Sequence, residues 1–220
     1  RSLAMPSTSI IKVLIFITYP LVLLSELITK VFTPKNHQAS MSREEVSAMV
    51  DVGTTEGVFR ESESKIIKSC IHLSGVKARK IMTPSVVVES AYQGLTIKEF
   101  YEQQEWNFSR IPVYDKEKDY ITGYVLKDMI LKALSEDKFQ TRLSDLMRPI
   151  LTFQEDESVY KIWEKMLEKC EHISIIIDEY GTLRGVVTME DIIETMTGVE
   201  IVDEDDVAVD MQAFAKEKSM

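Results

Sequence analysis

The chain has 220 residues and carries 26 Lys+Arg against 36 Asp+Glu, a net charge of -10, with 45% hydrophobic residues. This is globular composition, which argues against a disordered, collagen-like or wholly membrane-embedded chain. The acidic balance argues against a general nucleic-acid binder, because a phosphate backbone repels it. Two cysteines, Cys70 and Cys170, are too few for a disulfide framework and fit a reducing compartment.

The chain starts at Arg1 and reads as a piece of a longer protein. Residues 10–32 are almost entirely apolar, interrupted by Lys12, Thr18, Pro20, Ser25, Glu26, Thr29 and Lys30. A spanning helix wants about 20 apolar residues. The strongest stretch, 13–24, is 12 residues long and contains Pro20. No small-residue cleavage site follows Phe32, which disfavours a signal peptide. The pattern predicts a short helix, a break near Tyr19-Pro20, and an amphipathic helix over 21–31. Such an element lies at a membrane interface or packs on spanning helices; the alternative is an ordinary buried helix pair. Residues 33–40 read as a linker. Ser42 and Glu45 have capping-box spacing and open a helix. A loop at 53–57 and a second helix over 61–73, stopping at Gly75, follow.

From Val76 the chain repeats itself. Met82-Thr83-Pro84 returns as Met147-Arg148-Pro149 after 65 residues. Residues 111–115 return as 174–178, and Lys127-Asp128 as Glu190-Asp191, both after 63. Three landmarks in one order mark a structural unit used twice. The predicted elements of the first copy are 86–90, 97–104, 111–114, 122–125 and 128–134. Those of the second are 151–153, 159–169, 173–177, 185–187 and 189–196. Short β-branched strands alternate with helices carrying apolar residues at helical spacing, as at Val159, Ile162, Trp163, Met166 and Leu167. The fold class is mixed α+β or α/β: two β-α-β-β-α repeats about a pseudo-twofold axis. The tail from 199 is acidic, with a charge run at 200–206 that reads as solvated.

Thr188 follows a strand and precedes a helix, with Asp191 three residues on. One reading is helix capping. The other uses the same turn: outward amides and a hydroxyl suit a phosphate or ribose, and the Glu190 and Asp191 carboxylates suit ribose hydroxyls. In copy one, Ser109-Arg110 precedes a strand, and Arg110 can fork onto phosphate oxygens. It is otherwise a surface arginine. The copies are asymmetric. Opposite Thr188, copy one has Val125 or Leu126, and opposite Ser109-Arg110, copy two has His172-Ile173. Copy two thus carries a ribose half-site and copy one a phosphate half-site. Packed about a pseudo-twofold axis they predict one nucleotide per chain.

With its Met-x-Pro openings and GVVTMED ending, the repeat resembles a tandem pair of CBS domains. Glu56-Gly57, VKARKIMTP at 76–84, SRIPVYD at 109–115, IIIDEYG at 175–181 and GVVTMEDIIETMTG at 185–198 resemble the cyclin-M/CorC family more specifically. The resemblance covers about residues 19–198. It implies a membrane magnesium transporter or efflux regulator whose transmembrane module precedes a cytosolic CBS pair, in the cell membrane with the pair on the cytoplasmic side. Under it, 1–35 is the end of the transmembrane module, 36–75 a helical connector, 76–135 and 136–198 the repeats, and 199–220 the tail. It implies ATP binding with Mg2+. Thr188 and Asp191 match the ribose and phosphate positions, Ser109 and Arg110 the phosphate side. The adenine is expected near Ala91 and Tyr92 and the Ile111-Pro112 region. One departure is that copy one is a residue shorter between Gly123 and Asp128, which supports a single site.

His37, His72 and His172 have no metal-ligand spacing, and no phosphate loop or hydrolase elbow occurs. No nucleophile is paired with a base, so an enzyme is not expected. The expected protein is a regulatory homodimer in which ATP with Mg2+ biases the dimer's conformation and so the chain's own transmembrane domain. The alternative is a CBS dimerisation scaffold that binds no ligand.

Overall fold

The computed structural model describes residues 4–32, 41–103 and 108–199. The expected linker at 33–40, with His37, and the acidic run at 200–206 lie outside the described residues. The described chain divides into a unit ending at Glu45 and a second from Val46 onward.

In the first unit, helix α1 runs from Ala4 to Phe32 with Pro20 inside it. The break expected at Tyr19-Pro20 does not occur. Proline fixes φ at a helical value and removes one N–H, so it costs the bond to the Phe16 carbonyl without forcing the chain out of the helix. The Thr18 hydroxyl donates to the Leu14 carbonyl at 2.9 Å just before it. Leu14, Ile15, Phe16 and Ile17 are consecutive and each more than half exposed, so apolar side chains point to every side. Among the described residues no helix is long and apolar enough to cross a membrane. The Ser42 box forms as expected: Ser42 N–H donates to Glu45 Oε2 at 2.8 Å, and Glu45 N–H to Ser42 Oγ at 3.1 Å.

Helix α2 (Arg43–Thr55) continues through the first three residues of the loop expected at 53–57, and α3 (Glu61–His72) ends in a 3-10 turn, Leu73–Gly75. The first repeat comprises β1 (Thr83–Pro84), β2 (Ala91–Tyr92), α4 (Ile97–Gln103), β3 (Arg110–Tyr114), β4 (Ile121–Leu126) and α5 (Lys127–Ser135). A short helix α6 (Leu143–Leu146) follows. The second repeat comprises β5 (Leu151–Gln154), α7 (Val159–Lys169), β6 (Ile173–Ile177), β7 (Leu183–Thr188) and α8 (Met189–Thr197). The mixed α/β fold with two repeats is as expected.

The strand expected at 86–90 is a correction. Ser85–Val87 is a 3-10 turn, and the strand is only Ala91–Tyr92, parallel to β3 with Ala91 opposite Val113. Pro112 is the cause. It has no N–H to give the ladder, so pairing cannot extend back past Ala91. In repeat two the equivalent position is Ile175, and β5 pairs with β6 over four residues.

Each repeat is completed by the segment preceding the other. Leu73, Ala78 and Ile81 precede repeat one, yet they pack with Val159, Ile162, Met166, Ile176, Val187 and Ile192 of repeat two. Conversely, Leu143, Leu146 and Met147 pack with Ile97, Ile111 and Val125 of repeat one. The hydrogen bonding has the same symmetry, with Lys77 bridged to Ser158 and Thr96 to Arg142. The two openings follow suit. Thr83 pairs with Val186 on β7, and Arg148 bridges Tyr124 on β4. Gly185 and Gly123 admit them. A Cβ at Gly185 would overlap the Thr83 carbonyl, and one at Gly123 the Arg148 carbonyl and the Met147 side chain. A third apolar cluster joins the repeats: Ile175, Leu183 and Val186 with Val88, Ile121 and Ile150. Leu183 N–H donates to Asp119 O at 2.9 Å across the same boundary.

Candidate functional site

Residues facing each other across a ladder share one face of the sheet, and alternate residues on a strand do too. Ile111, Val113 and Ala91 point into the core of repeat one, at 6%, 0% and 2% exposure. The side chains of Ala91 and Ile111 are therefore spent on packing, and only their main chain can meet a ligand. Arg110, Pro112 and Tyr114 occupy the opposite face. Tyr92 sits beside Tyr114, ring centroids 6.1 Å apart, with its ring over Gly94. Four residues of strand separate Tyr114 from Arg110, about 13 Å. Tyr92 thus stands at the far end of the strand from the arginine, and the two do not meet. Ser109 is exposed, and its carbonyl accepts from Lys127 N–H at 3.0 Å, tying the start of β3 to the start of α5.

In repeat two, Thr188 is the N-cap of α8. Its N–H and hydroxyl both donate to Asp191 Oδ2, at 2.6 and 2.7 Å, and Asp191 N–H donates back to Thr188 Oγ1 at 3.3 Å. The capping reading is therefore realised in full. A carboxylate has about four acceptor positions, so capping does not exhaust Asp191. Glu190 is exposed in the first turn, where the helix dipole favours negative charge. The corresponding cap in repeat one is Leu126, which makes no side-chain cap bond. From glycine to cap the spacing is equal, Gly123 to Leu126 and Gly185 to Thr188. Asp128 therefore sits one position earlier in its helix than Asp191 and aligns with Glu190.

The repeats meet through a polar contact that sequence reasoning missed. The Tyr124 hydroxyl donates to Glu171 Oε2 at 2.6 Å. Burial, then the Glu171 hydrogen bond and charge, push this hydroxyl up to about 12, while Arg148 and Arg110 pull it the other way. Arg110 is thus within electrostatic reach of the hydroxyl. Glu171 in turn adjoins His172, whose carbonyl accepts from Met189 N–H at 3.1 Å, and Ile173 pairs with Thr188. A path of contacts runs from the start of β3 through Tyr124 and Glu171 to the start of α8. No sequence signal announces it, because Tyr124 and Glu171 hold non-equivalent positions in the two copies.

The donor set suits a phosphorylated ligand. Among the described residues neither Arg110 nor Arg148 is in an ion pair. The Ser90 hydroxyl is buried with no partner. Ser90 immediately precedes β2 and is two residues beyond Val88, which packs in the inter-repeat cluster. Two open cavities, about 540 Å³ along α3 and about 730 Å³ beside β5 and α7, are lined by other residues. Among the described residues no cluster of His, Cys, Asp and Glu could hold a metal ion by itself.

The duplicated β-α-β-β-α unit with exchanged openings defines a tandem CBS pair. The CBS domain model matches residues 78–136 and 143–198, and the cyclin M transmembrane N-terminal domain model matches residues 1–63. The chain belongs to the cyclin-M/CorC family of CBS-domain proteins. It is 34% identical to the UPF0053 protein sll1254 of Synechocystis sp., over 94% of this chain and 60% of that one. It is 32% identical to the UPF0053 protein YugS of Bacillus subtilis, over 78% and 40%. The chain thus spans about half the length of the curated relatives it matches. The CBS domain of a bacterial CNNM/CorC family Mg2+ transporter superposes with a TM-score of 0.69 at 27% identity, covering 74% of this chain and 99% of that one. A structure of such a domain in complex with ATP gives 0.58 at 28%, covering 62% and 97%.

Proposed function

We propose that the chain is the regulatory part of a membrane magnesium transporter or efflux protein, and that it binds ATP with Mg2+ in one cleft between its repeats. The observation that carries this reading is the asymmetry of the duplicated unit. Only repeat one offers an arginine at the start of its central strand, and only repeat two offers a hydroxyl and carboxylate at its last helix. Arg110 and Ser109 would hold phosphates, and Thr188 and Asp191 the ribose. Glu190 and Asp191 stand close by, so magnesium on the phosphates would offset their repulsion, and affinity should depend on the cation. The ATP complex of a similar CBS domain supports the choice of ligand.

Helix α8 offers the route outward. It starts at the Thr188 cap, packs on α3, and ends at Gly198, whose carbonyl accepts from Lys65 Nζ at 3.3 Å. A shift at the cap would therefore reach the helices before repeat one. In a homodimer, ATP acts on the membrane domain only if it binds two arrangements with different affinity. The match of residues 1–63 to a transmembrane domain supports attachment at the membrane. In this reading the repeats lie on the cytoplasmic side. Calorimetry with ATP tests the reading. Binding is expected, stronger with Mg2+, and weakened in Arg110→Ala and Asp191→Ala. No heat at millimolar ATP, or unchanged affinity in both variants, refutes it. The complete capping box favours the rival reading, a dimerisation scaffold that binds nothing.

A further inference from the structure

Tyr124 lies between two strands. It pairs with Pro112 on one side, and on the other it exchanges bonds with Arg148, Tyr124 N–H to Arg148 O at 3.0 Å and Arg148 N–H to Tyr124 O at 2.8 Å. Arg148, Tyr124 and Pro112 are cross-strand neighbours and share a face, and Arg110, two residues from Pro112, shares it too. Arg148 is about 5.5 Å and Arg110 about 7–8 Å from Tyr124 between Cα atoms. Both guanidiniums act on the Tyr124 hydroxyl, Arg148 more strongly. Two arginines with no ion pair among the described residues flank one point in a chain of net charge -10.

The duplicate shows that the fold does not require them. Its equivalent positions are Thr83, Val186, Ile175 and Ile173, which build the same ladders without a charge. Glu171, the carboxylate at the Tyr124 hydroxyl, already accepts from it. We propose that Arg148 is the second cation of the nucleotide cleft, acting with Arg110 on the outer phosphates and so selecting nucleoside di- and triphosphates over monophosphates. This rests on the nucleotide reading above. A monophosphate lacks the outer phosphates, whereas a diphosphate or longer brings further oxygens and charge to both guanidiniums through charge-assisted bonds.

Calorimetry on the full chain with ATP, AMP and pyrophosphate tests it, in the wild type, Arg148→Gln and Arg148→Lys. The wild type should bind ATP at least about tenfold tighter than AMP. Arg148→Gln should weaken ATP and pyrophosphate about tenfold and leave AMP within about twofold. Arg148→Lys should recover only part of this, lacking the fork. Equal losses for ATP and AMP, or unchanged ATP affinity, overturn the assignment. Should no nucleotide bind the wild type, the nucleotide reading fails by itself. Pyrophosphate then decides: binding lost in Arg148→Gln supports the two-arginine anion site, and no binding overturns it. Arg148→Lys keeps the charge and the main-chain bridge, so it answers the question if Arg148→Gln does not fold.

Discussion

Tyr124 is 2% exposed, and its hydroxyl ends on a carboxylate of the other repeat. Its folded-state pKa, about 12, stands above the ordinary value of 10.0. The fold therefore favours the protonated hydroxyl. That contribution is complete below about pH 10 and is lost as pH rises through about 12. Tyr124→Phe is expected to lose about 1–3 kcal/mol near pH 8, because a hydrogen bond to a charged group goes and Glu171 is left without it. Its stability should also fall less steeply above pH 10 than that of the wild type. Urea unfolding at pH 8, 10 and 11 reads both effects; equal slopes would mean the hydroxyl does not link the repeats. Thr188 illustrates a limit at this scale. The residues that suggest a ribose site also build a complete cap, and the same spacing serves both ends.

At the scale of elements, the openings and the glycines beneath them hold the pair together. Gly185 is buried, and β1 lies directly on it. Gly185→Ala should push the Thr83 carbonyl off β7 and cost about 1–3 kcal/mol, as overpacking does elsewhere. Gly123→Ala should do the same to Arg148 on β4 and also displace the arginine proposed to contact phosphate. Thermal unfolding of each variant checks the first effect, and pyrophosphate titration of Gly123→Ala the second. Neither change should matter if the openings are loosely attached. Two elements departed from expectation for local reasons. Helix α1 continues through Pro20 despite the lost bond and the ring's crowding of the Phe16 carbonyl, since proline's φ is itself helical, and β2 shortens because Pro112 gives its neighbour no donor.

For the whole molecule, the rival readings differ in one bulk property. A nucleotide binder is stabilised in proportion to ligand excess, by about 2.7 kcal/mol at a hundred times Kd, whereas a scaffold is not stabilised at all. The unfolding temperature is expected to rise steadily with ATP in the presence of Mg2+. It should rise less with AMP, and a flat response to both would leave the scaffold. Route and ligand are linked through α8, which touches the proposed ribose half-site at one end and α3 at the other.

Periodicity and repeated landmarks were enough to read two copies of one unit, because amphipathic spacing and turn residues act locally. The asymmetry between Arg110 and Thr188 was legible for the same reason. The sequence divides the copies at Val76 and Glu136, but the cores do not follow that division. Leu73, Ala78 and Ile81 complete the second copy, and Leu143, Leu146 and Met147 the first. That exchange, and with it the meeting of Arg148, Tyr124 and Glu171, depends on contacts between residues tens of positions apart. Only the folded chain decides it, since burial and cross-strand pairing act through space, and no local pattern encodes which distant segment fills a given face.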